Sequence, residues 1–558
     1  MRILVLTCLL IYSHAFSQQS RDLQKLAADF FSWRAVTQPA THDDVNRVER
    51  PDGWAPDYSP EAIKEYKSKY VEFSRKLNAI PKSGWTRADS VDYLLLRSAI
   101  ERVNWELNVL RLPQRSADFY INQTFGALYE LLLIHSPMTA ERARNIIVRM
   151  QSFPNTLEHA RQNLTEPVLA FTEIALANAR NPRQRLQRCA DALKKMMNKS
   201  FHAKLDVAVD NGSSAMEDFI KWLEDKKSQM SNSFSIGRQR YEYFLKKIAL
   251  LPFSPDHLLL MGQQEWNRSV AFDLYENLRN INVPKAELFA SAQDQINQSR
   301  DDEKSIRQFL EKYNIMSVPK WVQHYINITT PPHVLPFTNM GVVDDLTSES
   351  RLHEDGVSYI PEPSPNLSFF KLARAQDPRP IIVHEGVPGH YFQLVRSWAN
   401  PNPIRRRYFD SGSIEGIGFY VEELMLQFGL FDDRPHTREI IYRFMRLRAL
   451  RVDVDVNLAL GNYSIEDAAN YLAATVPMDF PTALFEAGFF ALTPGQAISY
   501  QIGKLQILNL IADARIKLGD KFRLRDYHDY MMQNGNVPIA LQRWEHLGLR
   551  DELEKLWD

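Results

Sequence analysis

Apolar residues recur three and four positions apart over most of the first 330 residues, the spacing of one buried helical face. Ile63, Tyr66, Tyr70, Phe73 and Leu77 form such a stripe behind Ser59-Pro60, a capping serine followed by a proline at the first helical position. Tyr93, Leu96, Ile100, Val103 and Leu107 form the next, and the same pattern predicts helix through 139–152, 184–196 and 214–250. Charge runs such as Glu224-Asp225-Lys226-Lys227 read as solvated helix faces, and no fixed-period repeat is visible. Between about 329 and 380 eight prolines, from Pro331 to Pro380, break the pattern, and Val357 to Ile360 predicts a short strand. Helical periodicity resumes near Ile381 and runs almost to Asp558. The expectation is a mostly α protein with a small strand-containing segment. A helical subdomain spans 18–330, and a second, spanning 331–558, carries the chemistry.

Composition narrows the class. With 558 residues the chain exceeds the size at which single cores usually stop growing. Sixty-seven Lys and Arg against 68 Asp and Glu leave no electrostatic case for nucleic acid, and 44% hydrophobic residues exclude wholesale disorder. Residues 1–17 read as a secretory signal peptide. Arg2 is the positive start, Ile3 to Tyr12 the apolar run, and Ala15 and Ser17 the small residues of a cleavage site. Cys8, preceded by Thr7, does not fit a lipid-attachment site. Cleavage would leave Cys189 alone, without an intrachain disulfide, in a secreted or periplasmic protein with no membrane span. Sequons at Asn122, Asn163, Asn198, Asn327 and Asn462 matter only in a host that glycosylates.

The chemistry concentrates in three strings. Residues 381–393 read IIVHEGVPGHYFQ. In the zincin motif two histidines four apart share a helical face, and the glutamate after the first polarises the metal's water. Here His384 and His390 are six apart, so on a regular helix they would point about 120° away from each other. They converge only if the helix is distorted, and Pro388-Gly389 between them is a pair able to do that. Residues 413–423, SIEGIGFYVEE, place Glu415 at the start of a helical pattern as a third ligand candidate. Glu422 lies seven positions on, along the same face, where it can hold a ligand histidine by its second nitrogen. Residues 493–504, TPGQAISYQIGK, place Tyr500 and Lys504 one turn apart on one face. Tyr500 is then either a core tyrosine or, beside a metal, a donor to an oxyanion.

HEGVPGHYFQ, EGIGFYVEELM and TPGQAISYQIGKLQI, with the tail LGDKFRLRDYHDYMMQNGNVPIALQ, resemble the DUF885 family of helical proteins with zinc-peptidase-like motifs. The resemblance covers roughly 330–558. It implies a zincin-like metallopeptidase fold with a deep channel over one zinc ion. His384, His390 and Glu415 would be the ligands, Glu385 the general base and Tyr500 the transition-state donor, with Lys504 toward the substrate. Several positions depart from the family pattern: Tyr391 where a second histidine is usual, Ile417 for a tryptophan, Ala459 for a histidine, and Gly488-Phe489 for an Asp-Arg pair. The expected function is an exported peptidase acting on short or unfolded peptides. A zinc hydrolase of other amides or esters, or a non-catalytic peptide-binding protein, stays open.

Overall fold

A computed structural model describes residues 18–41, 48–476 and 478–556; the leader-type segment 1–17, with Cys8, lies outside them. Helices dominate. In the N-terminal half the principal ones are α1 (Gln18–Thr37), α2 (Pro60–Asn78), α3 (Arg87–Asn104), α4 (Ala140–Gln151), α5 (Pro182–Lys194) and α6 (His202–Lys226). Ser59 caps α2 as expected: its hydroxyl accepts the Ala62 amide, and the stripe from Ile63 to Leu77 turns inward. The helix expected through 214–250 is interrupted. α6 ends at Lys226, a 3-10 turn continues to Gln229, and α-helix returns at Arg238. The serine-rich run between has another partner, because the Ile236 and Gly237 amides both donate to the carbonyl of Ala459, 3.1 and 2.9 Å away.

α7 (Pro255–Arg279) and α8 (Ala292–Lys312) lead into a three-stranded sheet of β1 (Tyr325–Thr329), β2 (Asp344–Asp345) and β3 (Gly356–Ile360). β3 lies in the middle, parallel to β1 and antiparallel to β2. The strand expected at 357–360 is therefore its central member. Helix resumes at Phe369, earlier than the expected Ile381, in a two-turn segment that buries Ala373 and Ala375. Then come α9 (His390–Trp398), α10 (Ser411–Gln427), α11 (Pro435–Leu460), α12 (Phe480–Leu492) and α13 (Ile498–Leu518).

The core does not divide at 330. Its largest cluster joins Leu94, Tyr120, Phe153 and Phe219 to Phe337, Tyr359, Tyr408 and Trp544. A second cluster, with Val383, Val387, Phe392, Ile417, Phe419 and Ile507, encloses the candidate chemistry. α10 and α13 cross closely there: a side chain on Gly416 would come within 2.7 Å of the Gly503 backbone, so only glycine permits the approach. Among the described residues no helix is long and apolar enough to cross a membrane. Asn122, Asn163 and Asn327 are buried, with their amides donating to Asp118, Tyr58 and Ser299, so these sequons are closed in the folded chain.

Candidate metal centre

The six-residue spacing closes. Ile382–Gly386 form a single π-helical turn, the chain runs extended at Val387, and α9 restarts at His390. The kink thus falls at Val387-Pro388-Gly389, as the composition required. Both imidazoles then face α10. His384 Nε2 lies 3.4 Å and His390 Nε2 3.1 Å from the same oxygen, Glu415 Oε2. All three donors are buried and lie within 4.8 Å of one another. Ligands 2.0–2.1 Å from a tetrahedral ion sit about 3.3 Å apart along its edges, so these spacings match zinc. Gly418 supplies the room: a Cβ there would press within 2.9 Å of both imidazole rings.

The surrounding shell orients the donors. His384 Nδ1 meets Glu422 Oε1 at 2.6 Å, leaving Nε2 for the cation, and Glu422 is fully buried. Arg448 Nη2 holds the same Glu422 oxygen at 3.0 Å. Burial favours neutral His384, yet the hydrogen bonds of Glu415 and Glu422 and the Glu422 charge outweigh it, raising the pKa to about 9. Burial likewise favours a neutral Glu415, and the two imidazoles reverse that, holding it well below the usual carboxylate range. A proton on His384 thus supplies positive charge that a divalent cation would supply more strongly, and a bound metal would displace it. The donor set fits zinc: two imidazoles and one carboxylate.

Glu385 belongs to the open side. Its Oε2 is 3.9 Å from His390 Nε2, and it keeps 21% of its side-chain exposure where the ligands keep 5% or less. Burial pushes its pKa up; His390 and His384 pull the other way without cancelling it. Tyr500 lies nearly parallel to His384, 6.1 Å between ring centres. Burial first, then the Glu415 charge, raises its phenol far above the ordinary value, so it stays a donor.

Lys504 requires a correction. It shares the Tyr500 face of α13, but its ammonium is fully buried between Glu265 at 2.9 Å and Glu423 at 2.8 Å. Arg268 binds the same two carboxylates. The lysine therefore locks α7, α10 and α13 together instead of facing substrate. Lys504→Met is expected to cost about 3–5 kcal/mol in chemical denaturation, because two buried carboxylates lose a shared cation.

Periodicity did not single out Arg448 and Arg451, both buried on α11. Arg451 stacks over Tyr500 at 4.7 Å and pairs with Glu486; Arg448 stacks over the same ring at 5.4 Å. The signal was the string RLRALR inside an apolar helix, where guanidiniums three apart cannot all be solvated.

The model of the family described as "bacterial protein of unknown function (DUF885)" matches residues 40–314 and 358–544, well over half of the chain. The chain belongs to the DUF885 family. Two solved structures share the fold. A putative lipoprotein of unknown function from Shewanella oneidensis has a TM-score of 0.71 and 16% identity, covering 95% of this chain and all of its own. A putative lipoprotein from Colwellia psychrerythraea has a TM-score of 0.75 and 16% identity, with 95% and 98% covered. No curated protein matches.

The positions that depart from the DUF885 pattern lie outside the donor triad. Tyr391 is buried and donates to the Glu354 carbonyl; Ile417 is core. Ala459 is buried at the end of α11, and Phe489 packs on Phe490, 5.9 Å between ring centres.

Proposed function

We propose that this DUF885 protein is an exported zinc-dependent peptidase acting on short or unfolded peptides. The observation that carries the reading is the convergence of His384, His390 and Glu415 on one point, with Glu422 on the far nitrogen of His384 and Glu385 beside the cluster. When bound, zinc would polarise the scissile carbonyl and lower the pKa of water. The chain's own groups supply the rest. Glu385 accepts a proton from the attacking water and returns it to the leaving amine. Tyr500 donates a hydrogen bond to the carbonyl oxygen as it gains charge. Glu422, braced by Arg448, fixes the His384 tautomer. Export is supported by the leader-type residues 1–17 and by the two structural relatives described as lipoproteins.

Elemental analysis tests the centre. About one zinc per chain is expected in wild type, and almost none in His390→Ala, which keeps only two donors. Wild-type protein that stays metal-free after zinc is added back would remove the reading.

A further inference from the structure

A cleft of about 130 Å³ opens where the two halves of the chain meet. Phe30 and Phe31 of α1, Trp105 after α3, Phe244 and Phe409 supply its aromatic walls. An apolar cavity of about 150 Å³ holds one benzene ring, so this one has room for a single apolar side chain.

The polar groups in it are unevenly matched. Arg34 is paired with Glu106 at 2.7 Å, and Arg407 with Glu349 at 3.1 Å. Arg102 lines the same cleft and stacks on Phe409 at 5.6 Å, with no carboxylate within ion-pair distance among the described residues. Asp410, another acid in the wall, is committed as the cap of α10, accepting the Ser413 amide at 2.7 Å. Burial raises its pKa to about 7, against the pull of the Ser413 amide and the Arg102 charge. Among the described residues one cation, Arg102, is left without a carboxylate at ion-pair distance, beside a ring-lined space.

The cleft also adjoins the metal centre. Ser411 and Gly412 in its wall precede Glu415 by one helical turn, about 5 Å along the axis. Gln496, also in the wall, precedes Tyr500 by four residues. One or two extended residues span such a distance.

We propose that this cleft receives the C-terminal residue of a peptide, its apolar side chain among the rings and its carboxylate on Arg102. Resting on the peptidase reading above, this makes the enzyme one that trims from the carboxyl end. The last peptide C–N bond breaks, water oxygen bonds to the acyl carbon, and the leaving nitrogen departs as the amine of a free apolar amino acid.

The test is calorimetric and needs no turnover. Zinc-loaded Glu385→Gln protein is titrated with N-acetylphenylalanine and with its amide, and the acid is expected to bind about tenfold tighter. N-acetylaspartate, whose side chain the rings exclude, is expected to bind no better than the amide. Arg102→Met should erase the preference for the acid, and Arg102→Lys should restore part of it. Equal binding of acid and amide, or no binding of either, overturns the proposal. So does a preference that survives in Arg102→Met, since the carboxylate would then sit on the metal. If the peptidase reading alone is wrong, zinc-loaded wild type cleaves no peptide while the Arg102-dependent preference is still measured.

Discussion

Glu385→Gln is expected to keep its zinc and to lose peptide hydrolysis by about 10²–10⁴ in kcat, with KM little changed. The substitution preserves size and hydrogen-bonding capacity but removes the proton acceptor. Metal content should hold because Glu385 is not one of the three convergent donors. Its carboxylate retains exposure that those donors lack, as a group meeting incoming water must. Burial raises its pKa above the ordinary value in the metal-free site and a bound dication would oppose that, so the acid limb of the wild-type rate profile reports the balance of the two. Activity falls as pH drops through that limb, since the base works only when deprotonated. Full activity in a zinc-loaded variant would remove Glu385 from the chemistry while leaving the metal centre intact.

The parts of the site legible in the sequence were those set by local spacing. His384, Pro388-Gly389 and His390 fall within seven residues, so the need for a kink and the residues able to make it could be read together. Glu415 and Glu422, two turns apart, share a face on any regular helix, and α10 is regular over both. What spacing cannot report is the partner across the interface. Lys504 and Tyr500 share a face as read, but whether that face meets substrate or acid depends on Glu265, 239 positions away in the chain. Arg448 was hidden for the same reason, because its meaning comes from Glu422 on another helix. The break in the 214–250 helix likewise depends on the Ala459 carbonyl, which no pattern within that stretch could announce.

Arg448 also shows why the centre tolerates so much buried charge. Glu422 is fully buried and would be costly alone, but one of its oxygens faces both the Arg448 guanidinium and the His384 imidazole. Arg451 repeats the arrangement with Glu486, and both guanidiniums close over the Tyr500 ring. The phenol is therefore clamped between cations and an imidazole. On the peptidase proposal this would hold the donor in place in advance, the condition under which it lowers a barrier.

Gly389→Ala is expected to be the most damaging added methyl among the described glycines compared. A Cβ at Gly389 would lie 1.8 Å from the His384 carbonyl oxygen and 2.4 Å from that of Val383. Both obstacles are backbone atoms of the turn that carries the first ligand, so no side-chain rotation relieves them. Either the π-helical turn opens and withdraws His384, or α9 shifts and withdraws His390. Each route breaks the 3.1–3.4 Å grouping about Glu415. Stability should fall by about 3 kcal/mol or more, as for other overpacked backbone contacts. Zinc affinity should fall by about 100-fold or more, the scale for ligands that lose their orientation. Denaturant unfolding and competition with a chelator read the two effects separately. A Gly389→Ala protein that unfolds with wild-type stability and holds zinc equally well would mean that His384 and His390 do not meet across this turn, and the metal centre would have to be sought elsewhere. Gly418→Ala makes the control: it crowds the same rings from α10 without touching the turn, so it should cost metal affinity while leaving the kink intact.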